Sequence, residues 1–212
     1  MTGVPGRATT GGEVRFRSAR ARTALGFSAS VEQLSTASAA VLGWGGTVLG
    51  PVKLLGRNVV PVAELVPDAY AERVCFGSGP VLDRAEIATW VWPEMEGRVP
   101  PPAARITGVL APARHWRSAL TAAVPFSRFA SAAIVVPKEV ALAPDFVSGC
   151  LVRARQFGIA VLSADGDDVA LELSGRCFAD APPVEHTAVS RWVNEVVYQK
   201  LLESEVPAPS RG

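Results

Sequence analysis

The sequence predicts an α/β protein with a mixed central sheet flanked by helices. Two apolar, β-branched segments at residues 106–110 and 132–136 enclose a segment of small residues with helical spacing. A helix of that length between two strands pairs them in parallel through a right-handed connection. Further along, Asp165-Gly166-Asp167 predicts a hairpin turn, after which the chain returns as an antiparallel strand. Parallel and antiparallel neighbours together make the sheet mixed.

Helical signals dominate residues 30–72. Ser30 and Gln33 have the spacing of a capping box, and the helix that they begin is predicted to end at the next glycine. A short strand around 59–62 and a short helix after Pro67 are expected to follow. We therefore predict a small helical N-terminal region.

One uncharged window, residues 33–52, has the length of a membrane span. Glycines and polar side chains interrupt it, so its apolar content is too dilute for stable insertion. We expect a buried helix followed by a glycine-rich turn, and no membrane partner.

The rest of the chain alternates between predicted strands and helices. Strands are expected at 74–76, 86–92, 158–163 and 169–173, and a helix at 145–156 that stops at Gly158. The resulting division has four parts: a basic arm (1–29), the small helical region (30–72), an α/β core (73–180) and a C-terminal amphipathic helix with its tail (181–212).

The C-terminal helix carries a wide apolar stripe. The stripe consists of Val189, Trp192, Val193, Val196, Val197 and Leu201. The polar residues expected on the opposite, solvated face are Arg191, Asn194, Glu195, Gln199 and Lys200. We predict that the stripe is buried, either on its own domain or in a symmetric dimer, with Trp192, Val196 and Leu201 as interface candidates.

Composition is that of one medium domain, or of one domain with a small attachment, and predicts an ample core: 212 residues, 49% hydrophobic, with a mean hydropathy of +0.24 and a net charge of +1. Three cysteines without a C-x-x-C pair, and two histidines, do not supply a zinc site of the usual spacing. The odd cysteine count and the lack of a secretory signal favour a cytoplasmic protein with buried, reduced cysteines. No cofactor is implied.

Positive charge is concentrated at the N-terminus. The arm has a single acid, Glu13, against the arginines Arg7, Arg15, Arg17, Arg20 and Arg22. Such a segment is typical of a solvated tail, and it is also a candidate for phosphate contacts through Arg15, Arg17, Arg20 and Arg22.

A second basic cluster lies at the start of the helix predicted between the parallel strands. Arg114, His115 and Arg117 flank Trp116 there. They could contact a phosphate chain with help from the helix N-terminus, or they could form an ordinary exposed helix start in which Trp116 packs inward. His115 has no partner that would make it a general base.

Five short motifs follow one another between residues 84 and 173. They are RAE (84–86), WRSAL (116–120), FAS (129–131), AIVVP (133–137) and GIAVL (158–162). Their order resembles that of the PD-(D/E)XK nuclease-like superfamily, most closely its small bacterial members. The resemblance covers less than half of the chain and implies a restriction-endonuclease-like sheet with flanking helices.

The same resemblance implies a loss of catalysis. The family's Glu-x-Lys motif falls on Leu110-Ala111-Pro112. The family's chemistry needs two carboxylates that hold Mg²⁺ and a lysine that orients water or stabilises charge. Leucine cannot bind a hard cation and proline has no side-chain proton to give. Asp83 and Glu86 remain as residual metal-side candidates.

The sequence therefore favours a catalytically inactive nuclease-fold binding module, with no catalytic residue and no metal. Its expected partner is DNA, bound weakly and non-specifically, or another protein. The alternatives are a metal-dependent nuclease with displaced residues such as Asp83, Glu86 and Glu94, and a structural subunit that assembles through its C-terminal helix.

Overall fold

The structure, a computed structural model, describes residues 27–177 and 187–205. Within these ranges the strands are β1 (Thr47–Val48), β2 (Val52–Leu54), β3 (Arg57–Leu65), β4 (Ala104–Pro112), β5 (Ser131–Pro137), β6 (Ala160–Asp165) and β7 (Asp168–Leu173). The α-helices are α1 (Val31–Val41), α2 (Pro67–Cys75), α3 (Arg84–Thr89), α4 (Trp116–Ala123), α5 (Lys138–Ala141), α6 (Val152–Phe157) and α7 (Ala188–Glu205). Two 3-10 turns (Pro93–Met95 and Val124–Phe126) and a π-helical segment (Phe146–Leu151) complete the elements.

The strands form one mixed sheet in the order β1-β3-β4-β5-β6-β7, with β2 also paired to β3. Strands β4, β5 and β6 are parallel neighbours, while β3 and β7 add to them in antiparallel fashion. The predicted α/β class, the parallel pair at 106–110 and 132–136, and the hairpin after Asp165 are thus confirmed. Each parallel connection runs through helices, as parallel strands require.

Helices cover both faces of the sheet, which explains why β5 is buried at every position. On one face α4, the π-helical segment with α6, and α7 pack against residues such as Val109, Ile134 and Val161. On the other face α1 packs against residues such as Leu110 and Leu162. Alternate side chains of each strand therefore enter two different apolar layers.

The predicted capping box is present at the start of α1. The Gln33 N–H donates to Ser30 Oγ, and the Ser30 N–H donates to Gln33 Oε1, each over 3.2 Å. The segment 30–72 is nevertheless less helical than predicted, because it also supplies β1, β2 and β3. Strand β3 pairs with β4 from Val60 to Leu65, so the sheet continues across the boundary expected near residue 72.

The uncharged window 33–52 is divided among α1, β1 and β2. In the described parts of the chain, no helix combines the length and the apolar content that crossing a bilayer requires.

Two predicted strands are helical. Residues 74–76 form the end of α2 and its cap, and most of 86–92 belongs to α3. The side chain of Asp83 accepts a hydrogen bond of 2.8 Å from the Ala85 N–H and so caps α3. The alternating aromatic residues after Glu86 suggested a strand, but the Asp83-x-x-Glu86 spacing is a helix-start signal that outweighs a short alternation.

Candidate functional site

The start of α4 presents the basic cluster predicted from the sequence. Arg114, His115 and Arg117 are exposed, and His115 occupies the N-cap position without a side-chain cap. Trp116 points the other way and is buried, with 4% of its surface exposed. The helix start therefore carries unpaired backbone N–H groups beside arginine side chains.

A third arginine joins this cluster from α6. The guanidinium of Arg153 lies 5.6 Å from the centre of the Trp116 ring, and that of Arg117 lies 4.3 Å from it. We call Arg114, Arg117 and Arg153 the α4 basic surface. Sequence reasoning missed Arg153, because only the packing of α6 against α4 brings it close.

Close packing fixes Trp116 beneath these arginines. A Cβ atom on Gly149, in the π-helical segment, would lie 3.0 Å from Trp116 Cζ2, so glycine lets the segment approach the ring. Asp145 accepts a hydrogen bond of 3.0 Å from Arg117 Nη2. Both side chains are at least half exposed, and an exposed pair of this kind contributes roughly 0–1 kcal/mol. A phosphate can therefore displace Asp145 at little cost.

The positions aligned with the nuclease motif lie in an apolar part of the sheet. Leu110 is buried opposite Val60 on β3 and Ala133 on β5. The next residue, Ala111, is buried too, and Pro112 is half-buried. No side chain at these positions can ligate a cation, and the described residues contain no cluster of metal-binding side chains.

The residual acidic candidates lie elsewhere. Asp83 caps α3 and Glu86 is exposed on its first turn. Helix α3 packs against α7 and is not a strand of the sheet. Glu94 is exposed in the 3-10 turn that follows.

A small, half-open cavity of about 290 Å³ lies at the carboxyl ends of β5 and β6. In it Ser163 Oγ donates to Glu172 Oε1 over 2.5 Å, and Lys138 Nζ donates to Asp165 Oδ2 over 3.0 Å. The hydrogen bond to Asp165 and its negative charge raise the pKa of Lys138. Lys138 is therefore protonated near neutral pH and cannot deprotonate Ser163.

A buried polar cluster was not foreseen. Arg73 of α2 and Glu195 of α7 form a fully buried, bidentate ion pair, with Nη1–Oε2 and Nη2–Oε1 distances of 2.8 and 2.5 Å. The Val81 N–H also donates to Glu195, and Arg73 Nε donates to the Pro101 carbonyl. The pair thus connects two helices and two loops.

Two more polar residues of α7 are buried beside this pair. Arg191 donates to the Pro100 carbonyl, and Asn194 donates to the Ala104 carbonyl. Burial lowers the pKa of Arg191 against the opposing effect of Glu195. The prediction that Arg191, Asn194 and Glu195 form a solvated face is therefore wrong: they face the domain, together with Tyr198.

The apolar stripe of α7 is covered within the chain. Val193, Val197 and Leu201 are buried, and α7 contacts β3, β4 and α3. Trp192 and Val196 are half-buried, whereas Val189 is exposed. Trp192 Nε1 donates to the Leu82 carbonyl over 3.1 Å, and Arg84 stacks on its ring at 3.9 Å.

We therefore expect Trp192→Ala to lower the free energy of unfolding by about 2 kcal/mol, less than a fully buried tryptophan would. The variant should remain a monomer, because the ring contacts its own chain. Denaturant unfolding and analytical ultracentrifugation measure the two effects. A dimeric parent protein that this substitution converts into folded monomers would contradict the intrachain contact.

The other predicted residues fall into two groups. Arg15, Arg17, Arg20 and Arg22 lie outside the described residues. Of the cysteines, Cys150 is buried as predicted, and burial raises its pKa to about 11. Cys75 and Cys177 are exposed, so the expectation that all three are buried is wrong.

Comparison of the chain with protein-family models, curated proteins and solved structures found no match.

Proposed function

We propose that this protein is a cytoplasmic, non-catalytic binding module that contacts duplex DNA without sequence preference. The observation that carries the proposal is the α4 basic surface, where three exposed arginines surround the start of a helix. Arginine and helix N-termini are the groups that most often contact phosphate oxygens. The three unpaired cysteines agree with a reducing compartment.

The mode of contact follows from the position of Trp116. Its ring is buried, so it is not a platform on which a base could stack. Arg114 and Arg117 lie at the exposed start of α4, where guanidinium and backbone N–H groups can contact phosphate oxygens. Phosphate contact without base readout is the mode that these groups support.

The relation to the PD-(D/E)XK superfamily is part of the proposal. Two of the motifs lie on the expected elements, since WRSAL begins α4 and AIVVP lies in β5. RAE does not, because it lies in α3 rather than on a strand. The apolar surroundings of Leu110 support a module that lacks the family's hydrolysis.

We expect DNA binding to weaken steeply with salt. Contact with about four to six phosphates should give a slope of log K against log salt of roughly −4 to −5. The measurement is fluorescence anisotropy of a short labelled duplex over a series of KCl concentrations. Replacing Arg114, Arg117 and Arg153 with alanine should reduce the slope by about 2 to 3.

Two further variants distinguish the contribution of the α4 basic surface to DNA binding from that of arginines elsewhere in the chain. Arg57→Ala with Arg98→Ala removes exposed arginines from other parts of the surface and should leave most of the slope intact. Alanine at the four arm arginines, Arg15, Arg17, Arg20 and Arg22, tests the arm independently and should flatten the slope if the arm shares the contact. Binding that survives loss of the α4 basic surface with its slope unchanged would refute the proposed site.

The nuclease alternative has its own test. We expect calorimetric titration with Mg²⁺ or Mn²⁺ to give no specific binding, and plasmid and single-stranded DNA to stay intact, because an exposed carboxylate alone holds Mg²⁺ poorly. Metal-dependent cleavage that is lost in Glu86→Gln would replace our proposal with a nuclease that uses displaced residues.

A further inference from the structure

A second surface has the opposite charge and exposes large apolar side chains. It is formed by residues 72–96, and we call it the acidic apolar face. Its exposed carboxylates are Glu72, Asp83, Glu86, Glu94 and Glu96. None of them forms an ion pair with another described residue. The two arginines of the same range are already engaged, Arg73 by Glu195 and Arg84 by the Trp192 ring.

Exposed apolar side chains lie between these acids in the sequence. Phe76 is 79% exposed and Trp92 is 57% exposed, and the other exposed members are Val74, Leu82 and Val91. Exposed apolar groups of this size, rimmed by charge, mark interaction sites rather than ordinary surface.

Helix α7 anchors several points of this segment. Along α7, Arg191 stacks on Trp90, Trp192 binds the Leu82 carbonyl, and Glu195 binds the Val81 N–H. The acids and the apolar side chains are therefore presented on a common support rather than on independent loops.

Charge complementarity identifies an occupant within the chain. The protein is almost neutral as a whole, yet residues 13–25 carry four arginines and one acid. Apolar residues alternate with these arginines, as in Val14-Arg15-Phe16-Arg17. Such a segment offers cations that can pair with the free carboxylates of the face, and apolar side chains that can cover Phe76 and Trp92.

The segment is long enough to reach the face. Extended chain spans about 3.3–3.6 Å per residue, so the stretch between Phe27 and Arg15 covers roughly 40 Å. A domain of this size has a diameter of about 40 Å.

We propose that residues 13–25 dock on the acidic apolar face of their own chain. The docking occupies the arginines that could otherwise contact DNA, and it is independent of the α4 basic surface. It goes beyond the proposed function, and the experiment below contains no DNA, so either proposal can fail alone.

Disulfide trapping in the full chain tests the docking. Cys75 is exposed at the end of α2, inside the face, whereas Cys177 is exposed after β7, outside it. A new thiol introduced by Ser18→Cys, in the middle of the segment, can form a disulfide with either of them under mild oxidation. We expect the disulfide with Cys75 to form about tenfold faster than the disulfide with Cys177, because docking raises the local thiol concentration.

The matched variant neutralises acids without changing their size. In Glu86→Gln with Glu94→Gln and Glu96→Gln, and equally in high salt, the rate at Cys75 should fall towards that at Cys177. Two results would overturn the docking. One is equal rates of disulfide formation at Cys75 and Cys177 in the protein that carries only Ser18→Cys. The other is a rate at Cys75 that neither the glutamine substitutions nor high salt alters. A disulfide-linked dimer whose yield rises with protein concentration would overturn docking within one chain.

Discussion

Replacing Glu195 with alanine is expected to lower the free energy of unfolding by about 3–5 kcal/mol. The substitution leaves the guanidinium of Arg73 fully buried without its carboxylate, and the Val81 N–H loses its acceptor. In a chain of this length the melting temperature should fall by roughly 10 °C. Thermal and denaturant unfolding followed by circular dichroism measure the change.

A double variant separates the ion pair from the packing around it. Arg73→Met with Glu195→Leu removes both charges and keeps apolar volume, so it should regain most of the stability that Glu195→Ala loses. If Glu195→Ala is as stable as the parent protein, water reaches Arg73 and the pair is not buried. If the double variant is as unstable as the single one, the hydrogen bonds to the loops matter more than the charges.

Trp116→Ala should destabilise the protein by a similar amount, about 3–5 kcal/mol. The ring fills the space between α4 and the π-helical segment, and Gly149, which faces it, has no side chain that could fill the cavity left behind. The substitution also removes the ring on which Arg117 and Arg153 rest. Denaturant unfolding gives the free-energy change.

Phe157→Ala is the control for this prediction. It deletes an aromatic side chain from a position in α6 that is 45% exposed, so it should cost less stability, about 1 kcal/mol or less. Equal losses in the two variants would mean that Trp116 is not a core residue. In that case the α4 basic surface would lose its rigid support.

The parallel strands and their hairpin were predictable because their signals are local. Strand β5 is apolar along its whole length, which is the pattern of a strand buried on both faces. The turn before β7 has glycine at a positive φ of 64°, as the Asp-Gly pattern indicates. The capping residues of α1 lie only three positions apart. Each of these features is decided by a few neighbouring residues.

The buried polar cluster could not be found in this way. Arg73 and Glu195 are 122 residues apart. Each is a charged residue in a predicted helix, a type that is normally exposed to solvent. A hint was present, since Arg73 shares the inner side of α2 with Ala69, four positions earlier. Only the packing of α7 against α2 and the loops shows that both charges are inside. The same holds for Arg153, which joins Arg114 and Arg117 only in three dimensions.

Strand β7 ends the sheet on one side, within the described residues, and its outer backbone groups have no neighbouring strand. Such an edge can recruit the same edge of another molecule and start aggregation. Exposed carboxylates stand along it, at Asp168 and Glu172, with Asp167 in the adjoining turn. Two copies that approached edge to edge would bring like charges together. The carboxylates of this hairpin therefore disfavour edge-to-edge pairing of two copies and so protect the protein against aggregation through β7.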